Sequence, residues 1–325
     1  MHMSITRKAP TKVILCGEHF VVYGAPAIAF PTALPNEVKL SEEKGEGFEI
    51  VSGKRYALGR EGGIVEGDPM LSNYMQLFWS LAGKMKKGRK LKAKFFNRGA
   101  IKGMGNSASF ATALARCLLK YSKRKMTDDE LFSLVQETET RMHGGRASGV
   151  DARTVIVGRP QMFMKRFNPL RYTFADADAC LPKGTVLIVV DTYRGSRETT
   201  AETTARFARA QNILKRPEEL SEPERRTLLE RYGKIFKKIL GELKADGDAA
   251  RLGRLMDDNQ RLLASVSSKG IGEALGIARK EGALGAKLTG GGGEGGAVMV
   301  LVEKRKAGRI IAACKKAGFK AFVVL

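Results

Sequence analysis

One stretch constrains this chain more than any other: Lys102-Gly103-Met104-Gly105-Asn106-Ser107-Ala108-Ser109, running directly into Phe110-Ala111-Thr112-Ala113-Leu114-Ala115. Two glycines free the backbone to turn its N–H groups toward an anion. Small and apolar residues with good helix propensity follow. A loop that opens a helix in this way gathers unpaired N–H donors and the positive end of the helix dipole in one place. A hydroxyl in the first turn can cap the helix or reach a metal held by phosphates. The same residues also suit an ordinary N-capped helix after a glycine turn, and short glycine motifs often match by chance. The stretch needs partners elsewhere in the chain before it means phosphate.

The chain around it has 325 residues, 43% of them hydrophobic, enough for one large or two ordinary domains with a real core. Its four cysteines, Cys16, Cys117, Cys180 and Cys314, form no CxxC pair and indicate neither a zinc site nor a disulfide framework. A reducing cytoplasm is the expected location. No signal-peptide pattern opens the sequence, and no apolar run approaches the ~20 residues of a membrane span. The formal charge is +23, from 57 basic and 34 acidic residues. Such an excess suits a nucleic-acid or membrane-surface partner, a polyanionic substrate, or a merely solvated surface, and the scatter of the basic residues favours the last. The densest basic cluster is Lys84, Lys86, Lys87, Arg89, Lys90, Lys92 and Lys94; without Trp or Tyr to stack bases it argues against single-strand binding.

In chain order, β-branched content predicts a strand over Val13–Cys16, with residues 1–8 a loose end or short edge strand. Glu18-His19 follows Gly17, between that strand and a second apolar, strand-like run at Phe20–Tyr23; Ala27–Phe30 resumes a strand after a Gly-Ala-Pro turn. Such a polar pair suits a solvated turn or a ligand site at a strand end. Residues 36–68 read as hairpins, and 69–83 as a helix with Phe78 and Trp79 in the core. A strand over 91–96 leads to the glycine loop and its helix, which runs to about Tyr121. Thr127 and Glu130 fit a capping box, and Glu139 and His143 share one face of that helix. Arg146–Asp151 reads as a loop before a strand at Thr154–Val157; Gly184–Val190 is a buried strand ending in the polar segment 191–197. Helices are expected over 198–214, 223–243, 256–266 and 271–280. The glycine-rich run 285–296 precedes a strand at Ala297–Val302, a helix at Glu303–Ala317 and a strand at Ala321–Leu325. Wedged between a helix and an apolar strand, that run is better suited to close backbone approach than to a flexible linker. The pattern is α+β.

Taken together, three glycine-bearing segments resemble the motifs of the GHMP small-molecule kinases, in order and across nearly the whole chain. Lys8-Ala9-Pro10-Thr11-Lys12-Val13-Ile14-Leu15-Cys16-Gly17-Glu18-His19 resembles the first, Gly103-Met104-Gly105-Asn106-Ser107-Ala108 the second, and Lys287-Leu288-Thr289-Gly290 with the following Gly291 and Gly292 the third. Ser148-Gly149-Val150-Asp151 resembles the segment that carries the catalytic aspartate. Within the superfamily the resemblance is greatest to the mevalonate kinases, because Glu18-His19 is followed by Phe20-Val21-Val22 and not by the aspartate of galactokinases.

The resemblance implies an α+β two-domain fold: an N-terminal half like domain 2 of ribosomal protein S5 over 1–180, and a ferredoxin-like half over 181–325. It implies ATP phosphates on 103–108, Ser107 and Glu139 on Mg²⁺, and Asp151 and Lys12 as the catalytic pair. Glu18, His19 and Thr192 would lie near the acceptor, and Thr289–Gly292 would form the third glycine motif. The activity implied is phosphorylation of the 5-hydroxyl of (R)-mevalonate, for isoprenoid precursor synthesis, by a homodimer with no membrane or nucleic-acid partner. The alternatives are another kinase of the superfamily, such as a phosphomevalonate kinase, or an S5-fold nucleic-acid-binding protein. The chain departs from the motifs at Thr11, Gly99, Ile101, Asn106 and Glu294, and has Arg146 and an extra residue before Asp151.

Overall fold

The structure is a computed structural model; it describes residues 3–59, 64–83, 87–145, 147–193, 200–293 and 296–325. The N-terminal half comprises β1 (Ser4–Cys16), β2 (Ala27–Lys44), β3 (Gly47–Ser52), β4 (Lys54–Leu58), β5 (Ile64–Gly67), α1 (Pro69–Ser72), α2 (Met75–Leu81), β6 (Arg89–Asn97), α3 (Asn106–Ser122), α4 (Asp128–Met142), α5 (Val150–Val157), β7 (Gln161–Arg166) and β8 (Arg171–Asp176). The C-terminal half comprises β9 (Thr185–Asp191), α6 (Thr200–Ala210), α7 (Glu222–Glu242), α8 (Ala249–Leu262), α9 (Lys269–Lys280), β10 (Gly285–Thr289), β11 (Ala297–Glu303), α10 (Ala307–Lys316) and β12 (Lys320–Val323).

Among the described residues the first half holds one eight-stranded sheet, ordered β5-β4-β3-β6-β2-β7-β8 with β1 along β2. The second holds a four-stranded antiparallel sheet, β10-β11-β9-β12. β1 serves both cores. Side chains alternate across a strand, so Ile14 enters the first core while Val13 and Leu15 enter the second. A strand buried on both faces needs the unbroken apolar run that Val13–Cys16 supplies. Helix α3 packs on β1 and β2 and is covered by α2, α4 and α5. That is why it is rich in small residues: Ala108, Ala111, Ala113 and Ala115 are all fully buried. The capping box of α4 forms as expected, with Thr127 accepting from Glu130 N–H and Glu130 from Thr127 N–H.

Several sequence expectations need correction. Residues 4–8 belong to the long β1, because β2 continues to pair with them. Phe20–Tyr23 is a 3₁₀ turn and not strand, since Glu18-His19 reverses the chain. The helix over 69–83 breaks at Asn73-Tyr74, and of the aromatic pair only Phe78 is core; Trp79 is 55% exposed, edge-on to Phe48. Thr154–Val157 lies in α5. Packing between α3 and α4 overrides its β-branched preference, and Thr154 Oγ1 donates back to the Val150 carbonyl at 2.8 Å. Gly285–Thr289 is a fully buried strand and not a loop. Residues 161–176 form the β7–β8 hairpin around Asn168-Pro169, a turn dipeptide.

The basic cluster is partly neutralised. Arg55, Lys90 and Lys92 converge on Glu49, which is almost wholly buried on the sheet. Burial alone would raise this carboxyl, but the three cations outweigh it and hold Glu49 at about 2. Lys84 and Lys86 lie outside the described residues. Among the described residues no helix is long and apolar enough to cross a membrane.

Candidate active site

The first anchor is Lys12. Its backbone N–H donates to the Met104 carbonyl at 2.9 Å, so β1 holds the glycine loop directly. Its side chain is buried, with Nζ 3.1 Å from Asp151 Oδ1 and donating to the Gly103 carbonyl at 3.2 Å. Thr11, where the motif has glycine, is accommodated at a register shift between β1 and β2; its Oγ1 bonds Thr32 Oγ1 at 2.6 Å and donates to the Leu34 carbonyl at 2.8 Å. Asp151 stands in the first turn of α5, which starts at Gly149 with φ 97°. Unlike Lys12 it is partly open, 27% exposed at the side chain. The pair therefore presents its carboxylate outward and keeps its ammonium inward.

The glycine loop closes over this pair. Gly105 has φ 68° and ψ 37° and precedes α3, whose N-terminus no side chain caps. A Cβ there would lie 2.9 Å from Lys12 Cε and 3.1 Å from Asp151 Oδ2. Asn106 does not face outward: its Nδ2 donates to the Ile101 carbonyl at 2.8 Å, and its Oδ1 accepts from Asn36 Nδ2 at 2.9 Å. The departure from serine thus braces the loop from behind. Gly99 leaves open space about its Cα, and Ile101 is buried core beside the loop. Ala108 and Met104 are fully buried, and Ser107 stands half-buried in the first helical turn.

Glu139 is buried, with Oε2 3.5 Å from His143 Nε2 and Oε1 without a hydrogen-bond partner. Burial would lower His143, but the hydrogen bond and charge of Glu139, aided by Asp151, raise it above the usual histidine. An unsatisfied carboxylate oxygen in a buried site costs free energy until something pairs with it.

The third glycine segment backs the second. A Cβ on Gly290 (φ 83°) would lie 2.8 Å from the Gly103 carbonyl, and one on Gly103 3.1 Å from the Thr289 carbonyl. Both positions need glycine for closeness as well as for φ. A Cβ on Gly292 (φ 66°) would lie 2.6 Å from the Val266 carbonyl. Thr289 Oγ1 bonds both backbone groups of Ile14, accepting at 3.0 Å and donating at 3.2 Å, which ties β10 to β1.

Glu18 and His19 are placed differently from one another. Glu18 is buried and pairs with Lys287, with no face on the cleft. Burial pushes its carboxyl up against the opposing pull of Lys287. His19 stacks on Phe207 at 5.0 Å, and its Nε2 lies 3.0 Å from the Gly291 carbonyl. Burial, with Lys287 and Arg206 nearby, lowers it to about 4 despite that hydrogen bond. At neutral pH the ring is uncharged, Nε2–H donates, and Nδ1 keeps the lone pair. The Thr192 hydroxyl donates to the Gly296 carbonyl at 2.6 Å and is buried. Arg146, Glu294 and the segment 194–199 lie outside the described residues. Lys287 itself escaped the sequence-based site set; a lone lysine inside the apolar strand Ala286–Leu288 was the available signal.

This donor set suits a nucleotide triphosphate: an uncapped helix N-terminus behind a glycine loop, with a buried ammonium beside it. It also suits a hard divalent cation, since Glu139 Oε1 is unpartnered. Among the described residues no three His, Cys, Asp or Glu side chains converge on one metal position. A magnesium ion shared with phosphates needs only one or two protein ligands.

Family models agree with the geometry. The GHMP kinases N terminal domain matches residues 80–159, and the GHMP kinases C terminal domain matches 218–320. The chain is 30% identical over 340 residues to the mevalonate kinase of Pyrococcus horikoshii, covering 93% of this chain and 90% of that one. It is 31% identical over 318 residues to that of Pyrococcus furiosus, covering 90% and 88%. Two solved structures share the fold over nearly all of both chains. L. major mevalonate kinase in complex with R-mevalonate has TM-score 0.77 at 23% identity, covering 99% of this chain and 96% of that one. The Methanococcus jannaschii mevalonate kinase has TM-score 0.76 at 21% identity, covering 100% and 98%. A chain whose glycine loops, buried lysine and aspartate meet in this way, and whose relatives match it almost end to end, belongs to the GHMP kinase family of ATP-dependent small-molecule kinases.

Proposed function

We propose that this protein transfers the γ-phosphoryl group of ATP to the 5-hydroxyl of (R)-mevalonate. The observation that carries phosphoryl transfer is the Lys12–Asp151 pair, 3.1 Å apart beneath Gly105 at the open end of α3. The choice of mevalonate leans on the relatives of that name and on Glu18-His19.

ATP phosphates rest on the backbone of Gly103–Ala108 and the N-terminus of α3. Asp151 orients the acceptor hydroxyl and takes its proton; the freed oxygen attacks the γ-phosphorus, and the bond to the β-phosphate oxygen breaks to release ADP. Lys12 holds Asp151 in place through their 3.1 Å contact and offsets the charge that develops on the transferring group. Ser107 and Glu139 would hold Mg²⁺, which neutralises phosphate charge when bound. The neutral His19 ring, with Nδ1 free to accept, orients the acceptor, and the Thr192 hydroxyl, which donates to the Gly296 carbonyl, keeps lone pairs with which to accept from it. Phosphoryl transfer asks mostly for position and charge, and these groups supply both.

The division into 1–180 and 181–325 belongs to the same proposal. It falls between β8, which ends the larger sheet, and β9, which starts the smaller. A homodimer belongs to it as well, and light scattering of the purified chain tests it. The deciding experiment is a substrate panel with Mg-ATP and an ADP readout. Turnover with mevalonate is expected; turnover with phosphomevalonate and none with mevalonate refutes the reading.

A further inference from the structure

His19 has a backbone that a residue with a side chain rarely adopts. It sits at φ 61°, ψ −46°, and Phe20 N–H donates across it to the Glu18 carbonyl at 2.6 Å. That is a γ-turn of the rarer, positive-φ kind, and it is strained. Such a conformation persists only where the surroundings over-determine it.

On one side the aromatic packing is clear. Phe20 stacks on Tyr232 at 4.6 Å and meets Phe207 edge-on at 5.0 Å, while the His19 ring lies on Phe207 and bonds the Gly291 carbonyl. On the other side stands an ion pair with no solvent exposure at either side chain, Glu18 with Lys287. Lys287 Nζ also donates to the Leu288 carbonyl at 2.7 Å, and Glu18 Oε2 is buried without a hydrogen-bond partner. A buried pair so incompletely satisfied is a poor source of stability; an apolar pair of the same shape would serve as well. Position is the better explanation. Glu18 leads directly into His19, and Lys287, on β10, leads through Leu288 into Thr289–Gly292. The pair and the His19–Gly291 bond thus join the same two segments at both ends.

We propose that Lys287 is a positioning residue for the acceptor: its buried pair with Glu18 holds the strained turn at His19 and sets the imidazole in register with the third glycine loop. The inference rests on the reading of this cleft as a phosphoryl-transfer site with the acceptor at His19. Lys287 touches no reacting group, so its loss acts on acceptor binding and leaves nucleotide binding alone.

The test uses the full chain with Lys287→Met, Glu18→Gln, their double variant and Lys287→Arg. With mevalonate as acceptor, either single change is expected to raise the acceptor KM on the order of tenfold to a hundredfold, the cost of slightly displacing a binding group. The KM for ATP stays at the wild-type value. The double variant is no worse than the singles, because the pair acts as one unit, and Lys287→Arg recovers part of the loss. The His19 ring resonances, assigned by their loss in His19→Asn among only three histidines, should shift in Lys287→Met and not in Lys287→Arg. If Lys287→Met does not fold, the isosteric Glu18→Gln carries the same measurements. Unchanged acceptor KM and unchanged His19 resonances in a folded variant overturn the proposal. Absence of mevalonate turnover in the wild type sinks the functional reading instead, and the resonances still decide the role of Lys287.

Discussion

Replacing Gly105 by alanine separates the two demands that the glycine loop makes on its backbone. Gly105 has φ 68°, and so does a second glycine within about a degree: Gly158, at φ 69°, which closes the C-terminus of α5. Alanine in this left-handed region costs about 1–2 kcal/mol at either position. The surroundings differ. A Cβ at Gly158 meets nothing within 4 Å, whereas one at Gly105 comes within 2.9 Å of Lys12 Cε and 3.1 Å of Asp151 Oδ2. Carbon atoms in contact prefer about 3.5–4.0 Å, so the proposed catalytic pair must retreat by the order of half an ångström to an ångström. A displacement of that size costs on the order of 100-fold in rate. Urea unfolding should therefore show a loss of about 1–2 kcal/mol in Gly158→Ala, and in Gly105→Ala that loss plus the cost of displacing the buried Lys12 side chain. Coupled-assay kinetics should show Gly158→Ala close to wild type and Gly105→Ala down by about two decades in kcat. Equal activity in the two variants would refute the claim that Gly105 is reserved for the Lys12–Asp151 pair.

Other outcomes follow from the same geometry. Asp151→Asn should fold and lose about 10²–10⁴-fold in kcat with ATP binding intact, and Lys12→Met should lose a comparable factor; ADP release and equilibrium nucleotide binding measure the two effects. Glu139→Gln should raise the Mg²⁺ concentration needed for half-maximal rate, and EDTA should abolish turnover by the wild type. His19 is held at about 4 against 6.5 in the unfolded chain. Below pH 6.5 the unfolded chain gains a proton that the native ring refuses, so this stabilisation is complete above pH 6.5 and falls toward pH 4, by about 3 kcal/mol in all. The difference in urea-unfolding free energy between wild type and His19→Asn should narrow over that window, and a pH-independent difference contradicts it. Thr127→Ala should cost about 1 kcal/mol through the lost capping box, without effect on KM.

The parts legible in the sequence were those whose chemistry is local. The capping box of α4 needs only Thr127 and Glu130, three residues apart. The glycine loop opening α3 needs only its glycines and the helix-forming run behind them, though its reading as a phosphate cradle needed the other motifs. Motif resemblance then pointed to Lys12 and Asp151, which the fold brings within 3.1 Å of each other. The misreadings arose where a local preference was outvoted by packing. Thr154–Val157 has β-branched character yet is helix, because α5 fills a slot between α3 and α4. Trp79 looked like core yet is half exposed, meeting only the edge of the sheet at Phe48, because in the short helix that follows the break at Asn73-Tyr74 it is Phe78 that takes the fully buried position. Gly285–Thr289 hid a strand within a glycine-rich run, since its burial depends on β11 and α8.

The sequence by itself determined which residues could serve: an anion-binding loop, a lysine and an aspartate in matching motifs, and a second glycine run to lie against the first. Tertiary structure decided who meets whom. Lys287 and Glu18 lie 269 residues apart and share no periodicity, yet a charge buried in one strand must find its partner wherever the fold brings one. Asn106 and Thr11, which in the sequence looked like departures from the motifs, proved to be satisfied by Asn36, Ile101, Thr32 and Leu34. The strained turn at His19 is likewise invisible in the sequence. Nothing in Gly-Glu-His demands it, and it exists because the buried pair and the stacked rings around it leave the backbone no other course.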